Sequence, residues 1–186
     1  FSTAENSKTY RIRNNSKTFY NWQSTTDEPP ITAYNTHGIG GSAPSKLTTV
    51  TVDTTNSGLT TIGDSAFKNS GLTSLTLPNG VNSISDNTFY GSSNLASFTF
   101  SGSNTSGTIG KNAFRGTGLT SIVIPKSFNN IGDDAFDNCK KLSTAEIHRH
   151  SNDVVSNGDV TLGTNIFNNP GVPLTIKIHS PTNWGN

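Results

Sequence analysis

The chain repeats itself. Five phenylalanines, Phe67, Phe89, Phe114, Phe136 and Phe167, stand 22, 25, 22 and 31 residues apart. Five positions before each lies an aliphatic residue: Ile62, Ile84, Ile109, Ile131 and Leu162. Directly after that comes Gly63, Ser85, Gly110, Gly132 or Gly163. The residue preceding each phenylalanine is Ala66, Thr88, Ala113, Ala135 or Ile166. Four columns recurring together at such a period signal stacked units, none of which can bury its own apolar side alone.

Between these segments runs a second pattern. Leu72, Leu75 and Leu77 are followed by Leu95, Phe98, Phe100, then Leu119, Ile122, Ile124, then Leu142, Ala145, Ile147. Leu47, Val50, Val52 opens the series, and Leu174, Ile176, Ile178 closes it with the spacing altered by one. The last two positions of each run are two apart, which is strand spacing. Each unit therefore reads as a short strand, a turn and a second segment. In that segment Ile131, Ala135 and Phe136 would share one face of a single helical turn. Asp64, Asp86 and Asp133 stand where an acid would cap that turn. Pro78 and Pro125 follow their strands and end the ladder.

Parallel strands about 4.8 Å apart would stack about five to six coils into an array of roughly 25–30 Å. This explains a composition that is otherwise puzzling. Apolar residues are only 30% and charged residues 13%, while Ser, Thr, Asn and Gly make up about half the chain. A stack needs few inward side chains per coil. The repeat spans 47–178. Residues 1–46 fall outside its columns but hold Tyr10, Phe19, Tyr20, Trp22 and Tyr34, the aromatic content of an N-terminal cap or flanking segment. Tyr10 and Ile12 would start a strand there, and 40–46 would join the cap to the repeats. Residues 179–186 form a tail in which Trp184 would lie over the final core layer. The fourth coil is lengthened by a polar insertion over 148–161, expected to be a surface loop.

The segments 119–142 (LTSIVIPKSFNNIGDDAFDNCKKL) and 72–95 (LTSLTLPNGVNSISDNTFYGSSNL) resemble the leucine-rich repeat of BspA-like surface proteins. The resemblance implies a repeat solenoid: a right-handed leucine-rich-repeat coil with a parallel β-sheet on one face and short helical turns or irregular segments on the other. It further implies a non-enzymatic, extracellular or cell-surface module of bacterial origin. Its partners would be a host matrix protein, a mucosal glycan or another cell surface. The runner-up is a targeting or scaffold module of a larger bacterial surface enzyme or envelope protein.

The remaining sequence features agree with a binding module. The formal net charge is +1 and no basic cluster offers a phosphate-tracking surface, so nucleic acid is not an expected partner. No apolar stretch approaches the ~20 residues of a membrane span. The chain begins at Phe1 and lacks Met, the look of a processed or trimmed fragment whose leader or anchor lies elsewhere. A single cysteine excludes an internal disulfide. A monomer without cofactors is expected.

Candidates for chemistry find structural explanations. Cys139 falls in a column with Ser70, Ser92, Thr117 and Pro170, which marks it as a packed, inert thiol. Glu146, His148 and His150 alternate, so a strand would point them one way, but they match no known ligand spacing and no metal is assigned. Asp133 and Asp134 are adjacent and diverge, which suits capping rather than an acid/base dyad. His37 and His179 have no partner that the sequence identifies. Asn14-Asn15-Ser16 and Asn104-Thr105-Ser106 match the glycosylation acceptor pattern. No phosphate loop, nucleophile elbow or dinucleotide fingerprint is present.

The binding surface is expected on the exposed strand positions. These are Thr49, Thr51, Ser74, Thr76, Ser97, Thr99, Ser121, Val123, Thr144, Glu146 and Lys177. They form a broad field of hydroxyls, charged only at its C-terminal end. Such a surface suits glycan or protein better than nucleic acid.

Overall fold

The computed structural model describes residues 9–12, 18–19, 48–52, 60–77, 79–100, 106–148, 161–169 and 171–179. In 9–12 and 18–19, and at Thr49, Thr51 and Val52, only the backbone is described. Outside these residues lie Leu47, Tyr20, Trp22, Tyr34, His37, the 40–46 join, Pro78, the tripeptide 14–16, Asn104 and Thr105 of the second glycosylation tripeptide, residues 149–160 with His150, Pro170 and Trp184.

Thirteen short strands are present among the described residues, in this order: β1 (Thr9–Ile12), β2 (Thr18–Phe19), β3 (Thr49–Val52), β4 (Thr61–Ile62), β5 (Ser74–Thr76), β6 (Ser83–Ile84), β7 (Ser97–Thr99), β8 (Gly107–Ile109), β9 (Ser121–Ile124), β10 (Phe128–Ile131), β11 (Thr144–His148), β12 (Thr161–Leu162) and β13 (Thr175–His179). Every pairing is parallel and joins alternate strands. Each coil thus gives one strand to each of two rows. The even strands form one six-stranded sheet, in the order β12-β10-β8-β6-β4-β2. The odd strands form the ladders β1-β3, β5-β7 and β9-β11-β13. Between these ladders Thr73 N donates to Thr48 O and Thr120 N to Ala96 O, both at 3.4 Å.

The register reproduces the sequence columns. Ile62 pairs with Ile84, Ile84 with Ile109, Ile109 with Ile131 and Ile131 with Leu162. Tyr10 pairs with Val50, Ile12 with Val52 and Phe19 with Ile62. Both rows therefore continue upstream of residue 47. The core follows from the alternation: Leu75, Phe98, Ile122, Ile124, Ala145 and Ile147 point inward and are buried. Phe67, Phe89, Phe114, Phe136 and Phe167 stack as a column, with centroids 5.0–5.4 Å apart and planes within 18°. Phe98 meets Phe89 and Phe114 edge-on at 5.2 and 4.8 Å. Each such aromatic pair is worth about 0.5–1.5 kcal/mol beyond its buried area.

The expected helical turn does not form; no helix is present among the described residues. The reason lies in the backbone. Two residues before each phenylalanine, Ser65, Asn87, Asn112, Asp134 and Asn165 have φ of 53–56°. Two residues after, Asn69, Gly91, Gly116 and Asn138 are also left-handed, with φ of 54–71°. Alternation of hand turns successive N–H groups in different directions. Ala66, Lys68 and Ser70 donate within their own coil, to Gly63, Ser65 and Phe67. Ser65, Phe67 and Asn69 donate to the next coil, at Asp86, Thr88 and Tyr90. Asn112, Phe114 and Gly116 do the same towards Asp133, Ala135 and Asp137. A helix would keep all these bonds inside one coil. The left-handed sites carry Asn, Asp or Gly, the residues for which that conformation is least costly; Ser65 is the exception.

The aspartates also act between coils rather than as caps of their own turn. Asp86 Oδ1 accepts from Lys111 N at 2.8 Å, and Asp133 Oδ1 accepts from Thr164 N at 2.7 Å. Thr164 holds the Asp133 carboxyl below the ordinary carboxylate range through its backbone N–H and its hydroxyl. Asp64 lies 3.5 Å from Asn87 Nδ2 in the neighbouring coil. These acids require close approach. A Cβ at Gly132 would come within 2.7 Å of Lys111 N, and one at Gly163 within 2.4 Å of Asp133 N. At those two positions the neighbouring backbone leaves no room for a side chain.

Asn138 separates the two descriptions of this segment. It is exposed with φ 56°. Asn138→Gly should leave stability nearly unchanged, while Asn138→Ala should cost about 1–2 kcal/mol. A helix would reverse the order, since Ala exceeds Gly there by about 1 kcal/mol. Chemical denaturation of the two variants decides the matter.

Candidate binding face

The odd strands present the residues singled out from the sequence. Their inward partners are buried, so strand alternation sends the others outward. Ser74, Thr76, Ser97, Thr99, Ser121, Val123 and Lys177 are exposed, and Thr144 and Glu146 are half-buried. Thr49 and Thr51 lie in β3, but their side chains are outside the description. Pairing aligns Ser74 with Ser97, Thr76 with Thr99, Ser121 with Thr144 and Val123 with Glu146. Thr144 pairs with Thr175, Glu146 with Lys177 and His148 with His179. The result is a grid of small hydroxyls on β5 and β7, an apolar step at Val123 and a charged corner on β11 and β13.

At that corner Lys177 Nζ donates to Glu146 Oε1 at 3.0 Å, and His179 Nε2 lies 3.5 Å from Glu146 Oε2. The hydrogen bond from Lys177, together with its charge, holds the Glu146 carboxyl below its ordinary range. The His148 and His179 rings are 4.9 Å apart. Sequence reasoning grouped Glu146 and His148 with His150 and left His179 without a partner. The missed signal was present in the columns: Ile147-His148 and Ile178-His179 end equivalent strands.

Cys139 is buried, as its column indicates. Its Sγ lies 3.1 Å from Phe114 O and 3.2 Å from Thr117 Oγ1. Ser92 Oγ makes the equivalent bond to Phe67 O at 2.7 Å. Burial pushes the Cys139 thiol up from its ordinary range, against the hydrogen bonds from Thr117. A thiol held protonated inside a hydrogen-bonded ladder is a poor nucleophile. Cys139 N donates to Asn169 Oδ1 at 2.8 Å, much as Ser70 N donates to Ser92 Oγ at 3.1 Å. Asn169 thus meets the Cys139 backbone in the position that the column gives to Pro170.

No helix among the described residues is long and apolar enough to cross a membrane. The fold and its face define a repeat protein of stacked parallel strands, with a continuous core and an outward grid of side chains. The chain belongs to the BspA-type leucine-rich repeat family, whose six-copy repeat-region model matches residues 11–157. Members of that family are characteristically non-catalytic modules. No curated protein and no solved structure matches the chain.

The account of Cys139 has a direct check. Thiol titration with an aromatic disulfide at pH 8 should proceed at least ~100-fold more slowly in the native protein than in denaturant. Cys139→Ser should fold, because serine already occupies this column at Ser70 and Ser92.

Proposed function

We propose that the chain is a non-enzymatic adhesion and protein-interaction module of the bacterial cell surface. It binds host matrix protein, mucosal glycan or another cell's surface through the outward positions of the odd strands. One observation carries this reading: Ser74, Thr76, Ser97 and Thr99 are exposed and lie in register across β5 and β7. Hydroxyls at strand spacing make a flat array of donors and acceptors, suited to sugar hydroxyls or an extended peptide backbone. Among the described residues this face carries no cluster of positive charge of the kind that tracks phosphates.

The ligand-binding set runs from Thr49 and Thr51 through Ser121 and Val123 to Thr144, Glu146 and Lys177. The coil is read as right-handed, the hand that strand-to-parallel-strand crossovers take. The protein acts as an extracellular monomer whose binding through the hydroxyl face calls for no cofactor. Residues 1–46 serve as an N-terminal cap or flanking segment, and 179–186 as a C-terminal tail or cap.

The folded chain should be retained by at least one member of a panel of matrix proteins, mucins and immobilised glycans. Thr76→Lys/Thr99→Lys, checked for folding by circular dichroism, should weaken that retention at least ~10-fold, by bulk and desolvated charge. Failure of the native chain to bind any panel member would remove the proposal. Equal binding by the double variant would move the site off this face.

A further inference from the structure

The corner formed by β11 and β13 has a chemistry that the hydroxyl grid lacks. Glu146, His148 and His179 each offer a ligand atom, and these atoms all lie within 4.8 Å of one another. We propose that these three side chains form a first-row divalent metal site, selective for zinc over magnesium and calcium, that ties the last strand to its neighbour.

The arrangement follows from register. Glu146 and His148 are two apart on β11 and so share a face. His179 stands opposite His148 on β13. Three corners of a small rectangle of side chains are thereby ligands, and the fourth is Lys177. Two imidazoles and one carboxylate suit zinc, whereas magnesium and calcium demand oxygen sets. Tetrahedral zinc with ligand bonds of about 2.0–2.2 Å places ligand atoms roughly 3.3–3.5 Å apart. Glu146 Oε2 and His179 Nε2 are already separated by 3.5 Å. His148 and His179 are exposed, so ring rotation can close the rest.

Lys177 does not occupy the site. It binds Oε1 of Glu146 and leaves Oε2 facing His179. It orients the carboxylate as an outer-shell partner does. Three protein ligands leave a fourth position open for water or for a donor from a bound partner.

The location gives the site a purpose. Every residue of β13 is exposed, including Ile176 at 47% and Ile178 at 59%. Among the described residues no further coil covers it. Strand pairing with β11 holds it. A metal bridging His148 and His179 adds a cross-strand clamp to a strand that core burial does not hold.

The test is calorimetric titration of the full chain with zinc at pH 7.5, with circular dichroism confirming the fold of each variant. One zinc should bind per chain, and His148→Ala and His179→Ala should each weaken binding at least ~10-fold. His37→Ala and His150→Ala should bind as the native chain does. Amide exchange in β13 should slow on adding zinc to the native chain but not to His179→Ala. No saturable zinc binding by the folded protein overturns the proposal. So does native affinity in His179→Ala, and so does dependence on His150 in its place, which would mark a site local to one coil. None of these outcomes bears on retention by the hydroxyl grid.

Discussion

The backbone hydrogen bonds between coils are what the rest of this molecule depends on. In most folds a turn satisfies its own polar groups or leaves them to water. Here the turns after β4, β6, β8 and β10 alternate in hand and direct every second N–H at the next coil. Three such bonds per coil supplement the two rows of parallel strands. Spacing is therefore enforced around much of the circuit, and the phenylalanine column, with centroids 5.0–5.4 Å apart, follows that repeat. The glycines at 132 and 163 and the aspartates at 86 and 133 serve the same approach of backbone to backbone.

A core built this way has a consequence for function. Since each coil places its apolar residues at a few inward positions, the outward strand positions are free of packing duty. Ser74, Thr76, Ser97 and Thr99 can change without disturbing Leu75 or Phe98 behind them. The parallel register then converts a sequence column into a row on the surface. It also brings together residues 31 apart, as with Glu146 and Lys177. A solenoid thus writes its surface chemistry across coils rather than along the chain.

Among the described residues the stack is incomplete at β13. The positions buried in β9 and β11 as Ile122, Ile124, Ala145 and Ile147 stand exposed there as Ile176 and Ile178. The strand keeps its place through pairing, through the Lys177–Glu146 bridge and through the two adjacent imidazoles. The charged and imidazole groups of the face are shared between β11 and this strand, whose apolar side chains are exposed.

The sequence by itself determined the repeat, its inward columns, the burial of Cys139 and the outward list from Ser74 to Lys177. These depend on strand alternation and period, which are local and countable. Only the tertiary structure decided that the Ile-to-Phe segment is a chain of alternating turns rather than a helical turn. Ile131, Ala135 and Phe136 have a spacing that both conformations satisfy, and what separates them is where the N–H groups point. It likewise decided that β1 and β2 extend both rows upstream of residue 47, because Phe19 aligns with Ile62 through pairing and not through spacing. His179 joined Glu146 and His148 for the same physical reason. Proximity across coils is set by register, and a residue's neighbours along the chain do not reveal it.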